Sequence, residues 1–136
     1  MMVAHVVEVS DKRKLIAIVE DDPQLVEMFH DMLSVFGDWR LHIFVDGQLA
    51  KDQLPEIGAQ LILLDVGLPN LDGVSLYKIL RGHNSTKNIP IIVITGSHDW
   101  ELQRMGLKTG FLLRKPFHMQ ELISIISALL LQEREG

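Results

Sequence analysis

Residues 61–73 read LILLDVGLPNLDG: four apolar residues run straight into a carboxylate, Asp65, followed by a proline and an Asp-Gly turn. A short continuous apolar run bounded by turn signals reads as a strand covered on both faces. Ending such a strand on an acid costs desolvation unless a cation or a hydrogen-bond donor waits there. Taken alone, the stretch is most simply a strand whose terminal Asp opens a turn. The other strands decide whether Asp65 is more than that.

Upstream, Leu15–Val19 (LIAIV) is a first strand, ending in Glu20, Asp21 and Asp22. Asp22 can cap a helix, Pro23 suits its first turn, and Gly37 stops it. Leu25, Met28, Phe29, Met32, Leu33 and Phe36 fall on one face of that helix. Residues 41–45 (LHIFV) form a second strand, followed by Asp46-Gly47 and a short, weak helix ending near Pro55. Leu61–Leu64 is the third strand, and Asp72 caps a helix through Leu80. Residues 91–94 (IIVI) form a fourth strand ending on Thr95, residues 99–107 a short helix, residues 111–113 a fifth strand and residues 119–133 a last helix. Strands that are apolar throughout, alternating with helices, predict an α/β fold: a doubly wound, five-stranded parallel sheet with helices on both faces.

At 136 residues the chain suits one domain with a substantial core and is short for two. Residues 14–133 form that domain, with 1–13 an N-terminal leader expected to be poorly ordered and 134–136 a short tail. A net charge of −5 argues against a nucleic-acid surface, which needs clustered Lys and Arg. The absence of cysteine excludes disulfides, Cys-ligated zinc and thiol nucleophiles, and fits a reducing compartment. The longest apolar segment, LISIISALLL, is about half of a membrane span, and MMVAHVVEVS lacks the pattern of a secretory signal, so cytoplasm is the expected location. The six histidines are scattered, without paired metal-ligand spacing.

In a doubly wound sheet, ligands sit outside the carboxyl ends of the strands, where the winding reverses. The residues leaving those ends are Glu20, Asp21, Asp22, Asp65, Thr95 and Lys115. If the first and third strands are neighbours, at least three carboxylates crowd one spot, which favours a bound cation. Oxygen ligands alone suit Mg²⁺, which keeps several waters and takes few carboxylates. Such an ion beside a lysine and a threonine hydroxyl makes a phosphate-binding arrangement, in which Asp65 can act as nucleophile.

These residues resemble the receiver domains of two-component response regulators, over about residues 14–133. VEDDP is similar to that family's acidic start, DVGLPNLDG to its phosphorylation loop, VITG to its hydroxyl-bearing fourth strand and RKPF to its lysine-proline turn. The resemblance implies a flavodoxin-like (βα)5 fold with strand order 2-1-3-4-5. It implies that Asp65 accepts a phosphoryl group from a histidine kinase or a histidine phosphotransfer protein. Asp21, Asp65 and the backbone carbonyl of Gly67 would ligate Mg²⁺, with Glu20 acting through water. Lys115 would pair first with Asp65 and then with the phosphoryl oxygens, and Thr95 would hydrogen-bond the phosphoryl group. The resemblance also makes Lys115-Pro116 a candidate cis peptide bond.

Two departures bear on the switch. Leu112 stands where the family often has Tyr or Phe, and the stretch from Thr95 to Lys115 is slightly shorter than usual. The expectation is a stand-alone phosphorylation switch that acts through a partner protein and is not a turnover enzyme. The alternative is a phosphorylation-independent pseudo-receiver serving as an interaction module; a small-phosphate hydrolase lacks a supporting pocket motif. In the last helix, Leu122, Ile125, Ile126 and Leu129 form the expected buried stripe, with Ile123, Leu130 and Leu131 spread beyond it. That width fits packing under neighbouring loops, or else a partner or homodimer surface.

Overall fold

The computed structural model describes residues 12–67, 72–96 and 111–135, with residues 132–135 described by backbone alone. The strands are β1 (Lys14–Val19), β2 (Trp39–Phe44), β3 (Leu61–Asp65), β4 (Ile91–Thr95) and β5 (Leu112–Arg114). The helices are α1 (Pro23–Phe36), α2 (Gly47–Ile57), α3 (Gly73–Gly82) and α4 (Met119–Glu135). All strand pairs are parallel, in the order β2-β1-β3-β4-β5. The leader through Asp11 and the helix expected at residues 99–107 lie outside the described residues.

Successive side chains of a strand point to opposite faces, so a continuous apolar run serves two layers at once. On β3, Leu61 and Leu63 pack with Ile16, Ile18, Phe29, Leu33, Leu122 and Ile126, on the side covered by α1 and α4. Ile62 and Leu64 pack with Ala17, Val19, Ala50, Leu54, Leu76 and Leu80, on the side covered by α2 and α3. Two cores therefore sandwich one sheet. Among the described residues no helix is long and apolar enough to cross a membrane.

Aspartates start three of the helices. Asp22 accepts from Gln24 N, Asp46 from Gln48 N and Leu49 N, and Asp72 from Ser75 N, each satisfying amides that lack a partner within the first turn. Ser75 holds the Asp72 carboxyl below its usual range through its hydroxyl and its amide.

The structure corrects several local expectations. The strand β2 runs over Trp39–Phe44 rather than residues 41–45. The buried face of α1 is narrower than its apolar stripe: Phe29 and Leu33 are buried, whereas Met28 and Phe36 are exposed. The helix α2 continues past Pro55 to Ile57 and stops at Gly58, whose φ of 68° is left-handed. Leu54 and Ile57 still pack on the core, which keeps the last turn in place despite the missing proline donor. The strand β5 begins at Leu112 rather than Phe111, because Leu112 lies opposite Val93 and Leu113 opposite Ile94. On α4, Leu130 joins the buried set while Ile125 is only half-buried, leaving Leu131 exposed.

Candidate functional site

The order of the sheet puts its winding reversal between β1 and β3. Their register pairs Ile18 with Leu63 and Val19 with Leu64, so one further residue sets Glu20 across from Asp65. Both acids continue the parity of Ile18 and Leu63, the face covered by α1 and α4. That is why two carboxylates end up side by side, each with 1% of its surface exposed.

Backbone bonds carry the ladder past the strand ends and hold the site loops. Glu20 N donates to Phe44 O (2.9 Å), Val66 N to Ile94 O (3.0 Å) and Lys115 N to Thr95 O (2.8 Å). The Lys115-Pro116 bond is cis. Phe117, next in the loop, stacks on Phe29 of α1 with ring centroids 6.4 Å apart.

Asp65 is fully engaged. Its Oδ1 accepts from Gly67 N at 2.7 Å and its Oδ2 from Lys115 Nζ at 2.5 Å. Burial alone would lower the Lys115 pKa, but the hydrogen bond and charge of Asp65, with Glu20 and Asp22, outweigh it and raise the value. Lys115 keeps 37% of its side chain exposed, so the ammonium reaches from solvent onto a buried acid.

Glu20 is only half engaged. Its Oε2 accepts from Asp22 N at 3.2 Å, while Oε1 is buried without a hydrogen-bond partner. Burial, then the neighbouring Asp65 carboxylate, pushes the Glu20 carboxyl up to about 8. Asp21 is half-exposed in the loop after β1, and Asp22 serves as the cap of α1. Thr95 ends β4 fully buried, one residue beyond Ile94, which lies opposite Asp65.

The donor set fits a hard divalent cation. Among the described residues no three His, Asp or Glu side chains close into a metal cage. Mg²⁺ does not require one, since it binds through one or two carboxylates and keeps its waters. The unpartnered buried Oε1 and the raised Glu20 carboxyl are the local signs that this edge accommodates more positive charge than Lys115 supplies.

The family model for the response regulator receiver domain matches residues 16–127. The chain belongs to the response regulator receiver family. Among curated proteins, this receiver is 37% identical over 117 residues to the transcriptional regulatory protein GltR of Pseudomonas aeruginosa, a match covering 85% of this chain and 48% of that protein. It is 31% identical over 118 residues to the DNA-binding response regulator MtrA of Mycolicibacterium smegmatis, covering 85% of this chain and 50% of the relative. The chain thus spans about half the length of these relatives.

Among solved structures, the receiver domain of a sensor histidine kinase from Pseudomonas aeruginosa matches with a TM-score of 0.76 and 28% identity, covering 86% of this chain and 97% of that one. That structure is described with a magnesium ion coordinated in its active site cleft. A CheY-like receiver from Methanospirillum hungatei, at 23% identity and a TM-score of 0.77 over 92% of this chain and 100% of that one, shares the fold.

One residue close to the site escaped the reading of the sequence. Gly73, taken there as part of an Asp-Gly turn, is buried against the backbone that leaves Asp65.

Proposed function

We propose that this receiver domain takes a phosphoryl group on Asp65, with Mg²⁺, from the phosphohistidine of a histidine kinase or histidine phosphotransfer protein. The observation that carries the reading is the double engagement of Asp65, by Lys115 Nζ and Gly67 N, beside the under-partnered Glu20. In the transfer, an Asp65 carboxylate oxygen forms the new bond to phosphorus as the bond to the donor imidazole nitrogen breaks, and that nitrogen keeps the electron pair. Asp21, Asp65 and the Gly67 carbonyl would hold the ion, with Glu20 acting through an intervening water. Bound there, Mg²⁺ supplies the charge neutralisation that phosphoryl transfer needs.

Lys115 then follows the negative charge from Asp65 to the phosphoryl oxygens, as an ammonium on a flexible stem can. The Thr95 hydroxyl hydrogen-bonds the phosphoryl group and links it to β4. The donor approaches over a groove beside Lys115 that is lined by Leu25, Met28, Pro116 and Phe117. Each chain takes one phosphoryl group and acts as a switch, a two-state equilibrium biased by new charge, rather than as a turnover enzyme. The cysteine-free composition suits a cytoplasmic setting.

One observation favours a pseudo-receiver instead: Leu112, half-buried against the α2–α3 core, is aliphatic where the resemblance leads one to expect a ring. A magnesium titration separates the two readings. A phosphoacceptor binds one Mg²⁺ per chain and loses it in Asp21→Asn, whereas a pseudo-receiver shows no saturable binding in wild type.

A further inference from the structure

Asp72-Gly73 has the form of a turn in which glycine supplies a backbone angle other residues avoid. The dihedral angles show a different role. Among the described residues, the glycine with positive φ is Gly58. Gly73 sits in ordinary helical backbone, which alanine adopts more readily than glycine. What it provides is space. A Cβ at Gly73 would lie 2.5 Å from Val66 Cα, 3.0 Å from the Asp65 carbonyl oxygen and 3.1 Å from Val66 Cβ. The first two are backbone atoms, so no change of rotamer relieves the contact.

Both partners in this contact are held. The peptide after Asp65 is tied to β4 through Val66 N and Ile94 O. The start of α3 is fixed by its Asp72 cap, and its body by Leu76, Tyr77 and Leu80 in the core. One residue beyond Val66, Gly67 N donates to Asp65 Oδ1, which turns the carboxylate so that Oδ2 meets Lys115. The Gly67 carbonyl is also the expected backbone ligand for the ion.

We propose that Gly73 is a positioning residue for phosphoryl transfer: lacking a side chain, it lets α3 seat directly on the Asp65–Val66 peptide and so sets the Gly67 amide and carbonyl around the acceptor. The inference rests on the reading of Asp65 as phosphoacceptor. An added methyl group must push that peptide or the helix start aside, and the displacement passes to the site through Gly67.

Gly82 supplies the internal control, since it lies in the same helix and a Cβ there meets nothing within 4 Å. The test compares wild type, Gly73→Ala and Gly82→Ala by Mg²⁺ titration and by the initial rate of mass adduct formation with acetyl phosphate. Both are read well below each variant's Tm. Gly73→Ala is expected to weaken Mg²⁺ binding about tenfold or more, the usual effect of disturbing the groups that orient metal ligands, and to slow adduct formation similarly. Gly82→Ala is expected to match wild type in both.

A folded Gly73→Ala protein with wild-type Mg²⁺ affinity and adduct rate, whatever its Tm, overturns the proposal and leaves Gly73 a packing residue only. If Gly73→Ala does not fold, Val66→Gly loosens the same seat from the other side by removing the Val66 Cβ that faces Gly73. A severalfold loss of Mg²⁺ affinity there supports the proposal, and unchanged affinity overturns it. Absence of any adduct in wild type removes the reading of Asp65 and this inference with it, whereas an adduct that Gly73→Ala leaves undisturbed removes the inference alone.

Discussion

Asp65 and Glu20 leave adjacent strands at one edge of the sheet and are equally buried, yet their surroundings differ. Asp65 has a donor on each oxygen, Gly67 N on one and Lys115 Nζ on the other. Glu20 has the Asp22 amide on Oε2 and no partner on Oε1. A buried carboxylate oxygen without a donor keeps its desolvation penalty, and burial followed by the neighbouring Asp65 carboxylate raises the Glu20 pKa. The contrast separates two jobs at one edge. On the proposed reading, Asp65 is held by the protein as the acceptor, while Glu20 would complete its environment through the ion and an intervening water.

Substitutions on each side of this contrast should act differently. Lys115→Ala strips Asp65 of its counter-charge and is expected to slow phosphoryl uptake from acetyl phosphate about 100-fold, the scale of losing one preorganised electrostatic donor. The variant should also melt below wild type, because a buried carboxylate loses its partner. A rate within a few-fold of wild type would mean that Lys115 is a structural tie only.

Glu20→Gln should have a smaller effect on chemistry and the opposite effect on stability. Mg²⁺ affinity is expected to fall about tenfold. Metal-free protein, relieved of a buried acid facing Asp65, should melt higher than wild type in a calorimetric scan. A lower Tm would show that Oε1 is better satisfied than its surroundings indicate.

The smallest effect lies away from both acids. Asp72→Ala removes the α3 cap and should cost about 1 kcal/mol in denaturant unfolding without stopping phosphoryl uptake. Because the folded state holds this carboxyl below its usual range, the cap's contribution is present at neutral pH. It declines only as acid protonates the group. The stability gap between variant and wild type should therefore close at low pH.

Much of this was legible in the sequence because parallel strands are covered on both faces. LIAIV, LILL and IIVI announce themselves as continuous apolar runs, and the Asp caps mark where three helices begin. Asp65 and Thr95 could be placed at strand ends from those runs, and Lys115 after the shorter run at residues 111–113. Finer features depended on contacts between distant segments. The exposure of Met28 and Phe36 reflects how narrow a stripe of α1 the sheet can cover, which periodicity does not state. The facing of Glu20 and Asp65 follows from the β1–β3 register, and the start of β5 at Leu112 from its pairing with β4. Gly73 was hidden for the same reason: an Asp-Gly pair spells a turn equally well whether its glycine supplies an angle or a space.

The most direct test is the intact mass of the protein after incubation with Mg²⁺ and acetyl phosphate, for wild type and Asp65→Asn. One added phosphoryl group is expected in wild type with Mg²⁺, and none in Asp65→Asn or without the ion. An adduct that persists in Asp65→Asn, or no adduct in wild type after rapid quenching, would contradict that expectation.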